Sequence, residues 1–334
     1  MAKEFLETFT DRAKLLELLS MRESGARREV DEKQMNAALK ERVRGQDHVV
    51  DDLCRLIKLQ WAKEKRRRPI ANLLFLGPTG TGKSELAKAV AEHLFGDEKS
   101  CLVFDGPDFS GPEGKNRLIG VPGGYVDSDK GGALTRPLLQ NPRRLVVFEE
   151  VEKAWSGIFD LFLSLMGDGR LNEASGKSAD FTQSIVVLTS NAEHEAISRI
   201  QNEIADYHEM VNAIKGHLAD TKVFRPEVIG RFDRVYVFKP LSGIVKAEIA
   251  AQKARTAARE YGLELKWIDP NLLFDVLVKS DKLDRFGIRE LERIVNEMLG
   301  EGFVAARASG IKRVRVDFDE AGEPVVGAAE AGSA

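Results

Sequence analysis

The sequence predicts an α/β fold built on a parallel sheet, and three observations lead there. Between Ile70 and Pro240 short apolar runs alternate with helical segments, the pattern of strands covered by helices on both faces. The run Leu73-Leu74-Phe75-Leu76 passes directly into Gly77-Pro78-Thr79-Gly80-Thr81-Gly82-Lys83-Ser84. That is a strand, a glycine-rich turn and a helix start, with G-x-x-x-x-G-K-S spacing. A second apolar run, Leu145–Phe148, ends in Glu149-Glu150, as a neighbouring strand would if it delivered carboxylates to the same end of the sheet.

In chain order, residues 1–42 read as a helical extension. Phe5, Leu6, Phe9, Leu15, Leu16 and Leu19 form an irregular apolar face, and Gly25-Ala26-Arg27-Arg28 suggests a break. Such a face packs on its own domain or docks a partner. Val43-Arg44-Gly45-Gln46 precedes an amphipathic helix that runs to about Trp61. The basic run Lys63–Arg68 is a solvated face or a nucleic-acid patch. Nucleic acid is not expected, because no aromatic residues interleave with these charges. The candidate strands are Leu73–Leu76, Cys101–Asp105, Leu145–Phe148, Ile185–Thr189 and Arg234–Phe238. Past Leu241 the chain reads as mostly helical, with turns at Gly262 and Gly287 and one alternating stretch, Lys312–Phe318, that suits a strand. Residues 321–334, rich in Gly and Ala, are expected to be a loose tail.

Composition narrows the class. The 334 residues are 43% hydrophobic and 31% charged, which suits a folded globular chain rather than a disordered one. The net charge of −3 gives no bulk attraction to nucleic acid or to an anionic membrane. No apolar run approaches the length of a membrane span, and the first residues carry no signal-peptide pattern. The two cysteines, Cys54 and Cys101, form no disulfide framework or zinc spacing, so a reducing, cytoplasmic setting is expected. The five histidines are scattered without metal-ligand spacing.

The glycine-rich turn carries the chemistry. Gly77, Gly80 and Gly82 allow a tight backbone whose N–H groups, from Pro78-Thr79-Gly80-Thr81-Gly82 onward, cradle phosphate oxygens. The following helix points its positive end at the same place. Lys83 supplies a cation for the β- and γ-phosphates, and the Ser84 hydroxyl can hold Mg²⁺. Of the strand-tip pair, Glu149 by position takes the metal role and Glu150 polarises the attacking water. Asn191, at the tip of Ile185–Ser190, either orients that water or caps the next helix.

Taken in order, Val43–Gln46, Gly77–Ser84, Gly123-Gly124-Tyr125-Val126, Glu149–Ala154, Gly167–Leu171, Thr189-Ser190-Asn191, Phe224–Arg231 and Gly287-Ile288-Arg289 resemble the AAA+ ATPases of the Clp branch. The likeness is greatest to the second ATPase module of ClpB-type disaggregases, here as a stand-alone module, and it runs from about Ala37 to Val326. It implies a P-loop NTPase (AAA+) core at 43–240 and a small helical lid at 241–320, with ATP and Mg²⁺ as cofactors. It further implies that Val43 and Arg44 lie against adenine, that Asn191 is the first sensor, and that Arg231 enters a neighbouring subunit's site. Arg289 would be the second sensor, on the lid. Tyr125 and Val126 would line an axial pore and grip a threaded polypeptide; otherwise Tyr125 packs on its own domain. The implied assembly is a homo-hexamer acting on a protein client, as an unfoldase or disaggregase-like chaperone. The alternative is a nucleotide-gated protein that remodels or recruits one dedicated partner without threading it.

Two departures from the family pattern stand out. Glu149 replaces the usual Asp, and a longer arm tests the close octahedral geometry of Mg²⁺. Between Asn191 and Phe224 there is no Ile-Gly-Phe or Ile-Gly-Leu tripeptide, so docking of a ClpP-type peptidase is not expected.

Overall fold

The computed structural model describes residues 11, 29–122, 124, 130–281, 288–319 and 322–329, without the side chains of 280, 281 and 288–290. The apolar face proposed for Phe5 to Leu19 therefore lies outside the described residues. The first described helix, α1 (Glu32–Arg42), starts where the Asp31 carboxylate accepts from the N–H groups of Lys33 and Gln34, and it buries Met35 and Leu39. Helix α2 (Asp47–Trp61) buries one face from Val49 to Trp61. Of the basic run that follows, Arg66 donates to the Gln60 and Trp61 carbonyls at the end of α2, at 2.6 Å each. Arg68 pairs with Asp233 at 2.6 Å. Two of its arginines thus serve the fold.

The core sheet contains β1 (Ala71–Leu76), β2 (Cys101–Asp105), β3 (Leu145–Glu149), β6 (Ile185–Ser190) and β7 (Arg234–Val237), each close to its expected bounds. Its spatial order is β2-β3-β6-β1-β7, and every neighbouring pair is parallel. Crossovers include α3 (Lys83–Phe95), α4 (Glu113–Ile119), α5 (Thr135–Gln140) and α6 (Ile158–Asp168). A short antiparallel hairpin, β4 (Arg170–Asn172) and β5 (Ser178–Asp180), follows α6.

Strands β1, β3 and β6 read as continuous apolar runs because both their faces are buried, whereas the edge strand β2 is only half-buried and exposes Val103. Leu73, Phe75, Leu145, Val147, Ile185, Val187, Tyr236 and Phe238 pack with α1, α2 and α3. The alternate residues Leu74, Leu76, Val146, Phe148, Val186, Leu188, Val235 and Val237 pack on the opposite face with α6. That second core also takes in Ile197 of α7 (His194–Glu203) and Met210, Val211, Ile214 and Leu218 of α8 (Tyr207–Asp220). The polar 192–222 segment is thus a helical pair laid on the sheet, followed by the short α9 (Pro226–Ile229).

The C-terminal unit has its own core. Helices α10 (Gly243–Glu260), α11 (Pro270–Asp281) and α12 (Ile288–Ala308) surround Val314 and Val316 of β9 (Arg313–Phe318). This unit departs from the mostly helical reading. Strand β9 is the middle of a three-stranded sheet, parallel to β8 (Glu264–Ile268) and antiparallel to β10 (Pro324–Ala328). The expected loose tail at 321–334 is therefore corrected over Pro324–Ala328. Its Gly and Ala carry no apolar period, but the open edge of β9 supplies backbone partners, and Val326 fills the space beside Gly302 of α12.

Candidate nucleotide-binding site

The site begins where β1 ends. Gly77 has φ 138°, and a Cβ there would lie 2.6 Å from the Phe238 carbonyl oxygen, so only glycine fits. Gly82, at φ 98°, stands at the N-terminus of α3, and no side chain caps that helix. Its first N–H groups are left for an anion. The Thr81 hydroxyl donates to the Pro78 carbonyl at 2.9 Å and tightens the loop. Thr79 at the loop's tip is exposed, and Gly80 turns with φ 77°.

Gln46 is fully buried beneath this loop. Its Nε2 donates to the Lys239 carbonyl at 2.8 Å and to the Thr81 carbonyl at 3.3 Å, while Lys239 N–H donates back to Oε1 at 3.1 Å. The amide thus joins the end of β7 to the phosphate loop. Val43, also buried, places Cγ1 against Gly82, and Arg44 beside it is half-buried.

Lys83 is 8% exposed and its ammonium is fully engaged. Nζ donates to the carbonyls of Gly77 (2.6 Å) and Pro78 (2.8 Å) and to Asn191 Oδ1 (2.7 Å). Burial pushes its pKa down to about 8, against the pull of Glu152, Glu149 and Glu150. The other end of the Asn191 amide, Nδ2, donates to Glu150 Oε1 at 3.2 Å. Glu150 Oε2 accepts from Lys153 Nζ at 2.5 Å. A single chain of side chains therefore runs Lys83–Asn191–Glu150–Lys153 across the ends of β1, β6 and β3. Helix α7 has Glu193 at its N-cap position, with no side-chain cap, so Asn191 does not cap it.

Glu150 sits in the left-handed region at φ 47°, held by its N–H donating to the Thr189 hydroxyl at 3.3 Å. A non-glycine residue there is strained, and such strain collects at functional positions. Glu149 closes β3, in register with Asp105 of β2, and is half-buried. Ser84 lies one residue into α3. Glu152 joins the cluster without having been singled out by spacing. Its Oε1 accepts from the Asn191 N–H at 3.2 Å, and its Oε2 is buried without a partner. Its only signal was a third carboxylate two residues past Glu150.

The remaining candidates are Arg231, Arg289, Tyr125 and Val126. The Arg231 side chain is exposed and lies against Gly167 near the end of α6. Its backbone is pinned: Asn72 Nδ2 donates to the Arg231 carbonyl at 3.3 Å, Phe232 is buried, and Asp233 accepts from Asn72 N–H at 2.8 Å and from Arg68. Arg289 falls in the first turn of α12, and its side chain is outside the described residues. Tyr125 and Val126 are also outside them. Among the described residues no cluster of three or more His, Cys, Asp or Glu could hold a metal, and no helix is long and apolar enough to cross a membrane.

A strand, a glycine loop whose lysine lies among strand-tip carboxylates, and an uncapped helix start on a parallel sheet define a P-loop NTPase. Residues 68–235 match the family model for the AAA domain (Cdc48 subfamily), and the chain belongs to that family. It is 35% identical over 271 residues to the chaperone protein ClpB of Gloeobacter violaceus, covering 78% of this chain and 30% of that protein. It is 37% identical over 215 residues to the negative regulator of genetic competence ClpC/MecB of Bacillus subtilis, covering 62% and 26%. Heat shock protein 100 of Trypanosoma brucei brucei is 33% identical over 295 residues, covering 85% and 33%. The chain thus spans about a third of the length of these relatives and resembles the ATPase modules of the Clp branch.

Proposed function

We propose that this protein hydrolyses ATP in a homo-hexameric ring and uses the cycle to unfold or thread a protein client. The hydrogen-bonded line Lys83–Asn191–Glu150 carries the reading, because it places a buried cation, an orienting amide and a carboxylate at one end of one sheet. In this assignment the loop Pro78–Gly82 and Lys83 hold the phosphates, with Val43 and Arg44 against the base. Glu150 accepts the proton of the attacking water, and Asn191 orients that water. Arg231 serves a neighbouring protomer's site and Arg289 couples the lid to the nucleotide.

The donor set fits Mg²⁺. Ser84 and Glu149 offer hard oxygen donors, and one hydroxyl with one carboxylate suits an ion that keeps phosphate and water in its shell. When bound, Mg²⁺ neutralises charge on the β- and γ-phosphates. The assignment divides the chain into an ATPase core at 43–240 and a lid from 241 onward. The names of the relatives, chaperone protein and heat shock protein, favour a protein client.

The test is Tyr125→Ala, assayed with fluorescein-labelled casein as an unfolded client. Threading predicts that the ratio of casein-stimulated to basal ATP turnover falls to one. An unchanged ratio would favour partner remodelling without threading.

A further inference from the structure

The β4–β5 hairpin carries a buried carboxylate that the nucleotide site does not use. Glu173 is 7% exposed. Its Oε1 accepts from the Gly132 N–H at 3.0 Å and from the Thr135 hydroxyl at 2.9 Å, and its Oε2 accepts from the Ser175 hydroxyl at 2.5 Å. The next residue, Ala174, donates its N–H to the Ile119 carbonyl at 2.9 Å. The hairpin therefore bonds both stems of the loop that contains Tyr125 in sequence.

Those stems are shaped around Glu173. Gly120 and Gly131 both have positive φ, 85° and 70°. A Cβ at Gly131 would lie 2.8 Å from Glu173 Oε1, and one at Gly120 would touch Glu173 Cγ at 3.6 Å. Beneath them Ala133 N–H donates to Arg117 O at 2.8 Å and Leu134 N–H to Leu118 O at 3.0 Å, which joins the stems to each other. The chain leaves at 120 and returns at 131 through one narrow base, with a desolvated carboxylate in its centre.

The hairpin is anchored at its other end to α6. Phe181 N–H donates to the Gly169 carbonyl at 2.8 Å, directly after that helix. Helix α6 buries Ile158, Phe159, Leu161, Phe162, Leu165 and Met166. It begins just after the Glu149–Lys153 turn, and Arg231 lies against Gly167 near its far end. One rigid element thus joins the strand-tip carboxylates to the hairpin that holds the loop.

We propose that Glu173 is a positioning residue: it fixes residues 119–120 and 131–135 to the β4–β5 hairpin, and the action of Tyr125 on a protein client depends on that attachment. This rests on the reading of Tyr125 as the gripping residue. Removing the carboxylate strips three donors of their acceptor and frees the stems from the hairpin. Glu173→Gln keeps one acceptor oxygen for Gly132 and Thr135, and its amide can donate to the Ser175 oxygen.

The experiment compares Glu173→Ala, Glu173→Gln and Tyr125→Ala as full-length chains under ring-forming conditions. Amide hydrogen exchange over residues 117–135 reads the clamp, and the casein-stimulated to basal turnover ratio reads its use. In Glu173→Ala, exchange in this segment is to rise about tenfold while exchange in β1, β3 and β6 stays as in the wild type. The casein ratio is to fall toward one, and Glu173→Gln is to recover most of both. Unchanged exchange at 131–135 in Glu173→Ala would overturn the inference. So would a preserved casein ratio in Glu173→Ala alongside a lost ratio in Tyr125→Ala. If Tyr125→Ala also keeps its ratio, the gripping reading fails, and with it the role of the attachment in the action of Tyr125; the exchange data then show separately whether the clamp exists.

Discussion

Two cations of this molecule have opposite surroundings. Lys83 is buried, gives its ammonium to three acceptors of its own chain and is desolvated far enough to lower its pKa to about 8. Arg231 is exposed, and among the described residues no carboxylate pairs with its guanidinium, although its backbone is fixed through Asn72, Phe232 and Asp233. Lys83 is organised for a ligand that enters its own loop. Arg231 is held by its backbone while its charge faces outward, which suits the in-trans role proposed for it. On the proposed assignment, the phosphate half of the site lies within one chain, whereas the cation that stabilises the transferring phosphoryl group comes from another copy.

Breaking the outward half carries the largest expected effect. A guanidinium supplied in trans is worth about 10³–10⁵ in turnover. Arg231→Ala is therefore to lose at least about a thousandfold in steady-state ATP hydrolysis, while equilibrium titration with a fluorescent ADP analogue shows unchanged nucleotide affinity. Mixing Arg231→Ala with Glu150→Gln sharpens the comparison, because each would supply what the other lacks. Partial recovery of turnover in mixed rings is the expected result. Full activity of Arg231→Ala would place the missing cation elsewhere.

The inward half predicts a pH effect. The pKa of Lys83 in the empty site is lowered from its ordinary value by burial. Phosphates beside it favour the charged form, so nucleotide binding raises that pKa again. Well below pH 8 the ammonium is already protonated and binding takes up almost no proton. Above pH 8 binding must draw a proton from solvent. ADP affinity is accordingly expected to weaken by up to about tenfold between pH 7 and pH 9, with proton uptake approaching one at pH 9. Calorimetry in buffers of different ionisation enthalpy measures this directly. For folding the sign is opposite. Between about 8 and the ordinary lysine value the unfolded chain binds more protons, so this group's contribution to stability improves as pH rises through that window.

How far the sequence was legible follows the same division between what one chain's pattern encodes and what packing decides. The central strands were readable because both their faces are buried, which leaves uninterrupted runs such as Leu73–Leu76 and Ile185–Leu188. The phosphate loop was readable because its glycines answer local backbone demands, as Gly77 does against Phe238. Gln46 and Glu152 could be found only in three dimensions, since each acts on a backbone group distant in sequence. Strand β10 was hidden for the same reason: its order comes from the edge of β9 and the space beside Gly302, not from any period of its own. The 192–222 segment looked uninformative because only one side of each helix is apolar, at Ile197 and at Met210–Leu218.

The smallest expected effect concerns Glu149, where the longer carboxylate replaces the Asp of the family pattern. A direct metal bond would make chain length critical, since Mg²⁺ tolerates little departure from octahedral geometry at close distance. A carboxylate that reaches the ion through one of its waters loses that constraint. Glu149 stands at the last position of β3, half-buried, and the proposed role has it reach the ion through such a water. Glu149→Asp is then expected to change ATP turnover by less than about tenfold, with a similarly small change in the Mg²⁺ concentration giving half-maximal rate. Wild-type protein without turnover, restored by Glu149→Asp, would mean that the ion is bound directly and that the inward half of the site is misaligned for hydrolysis.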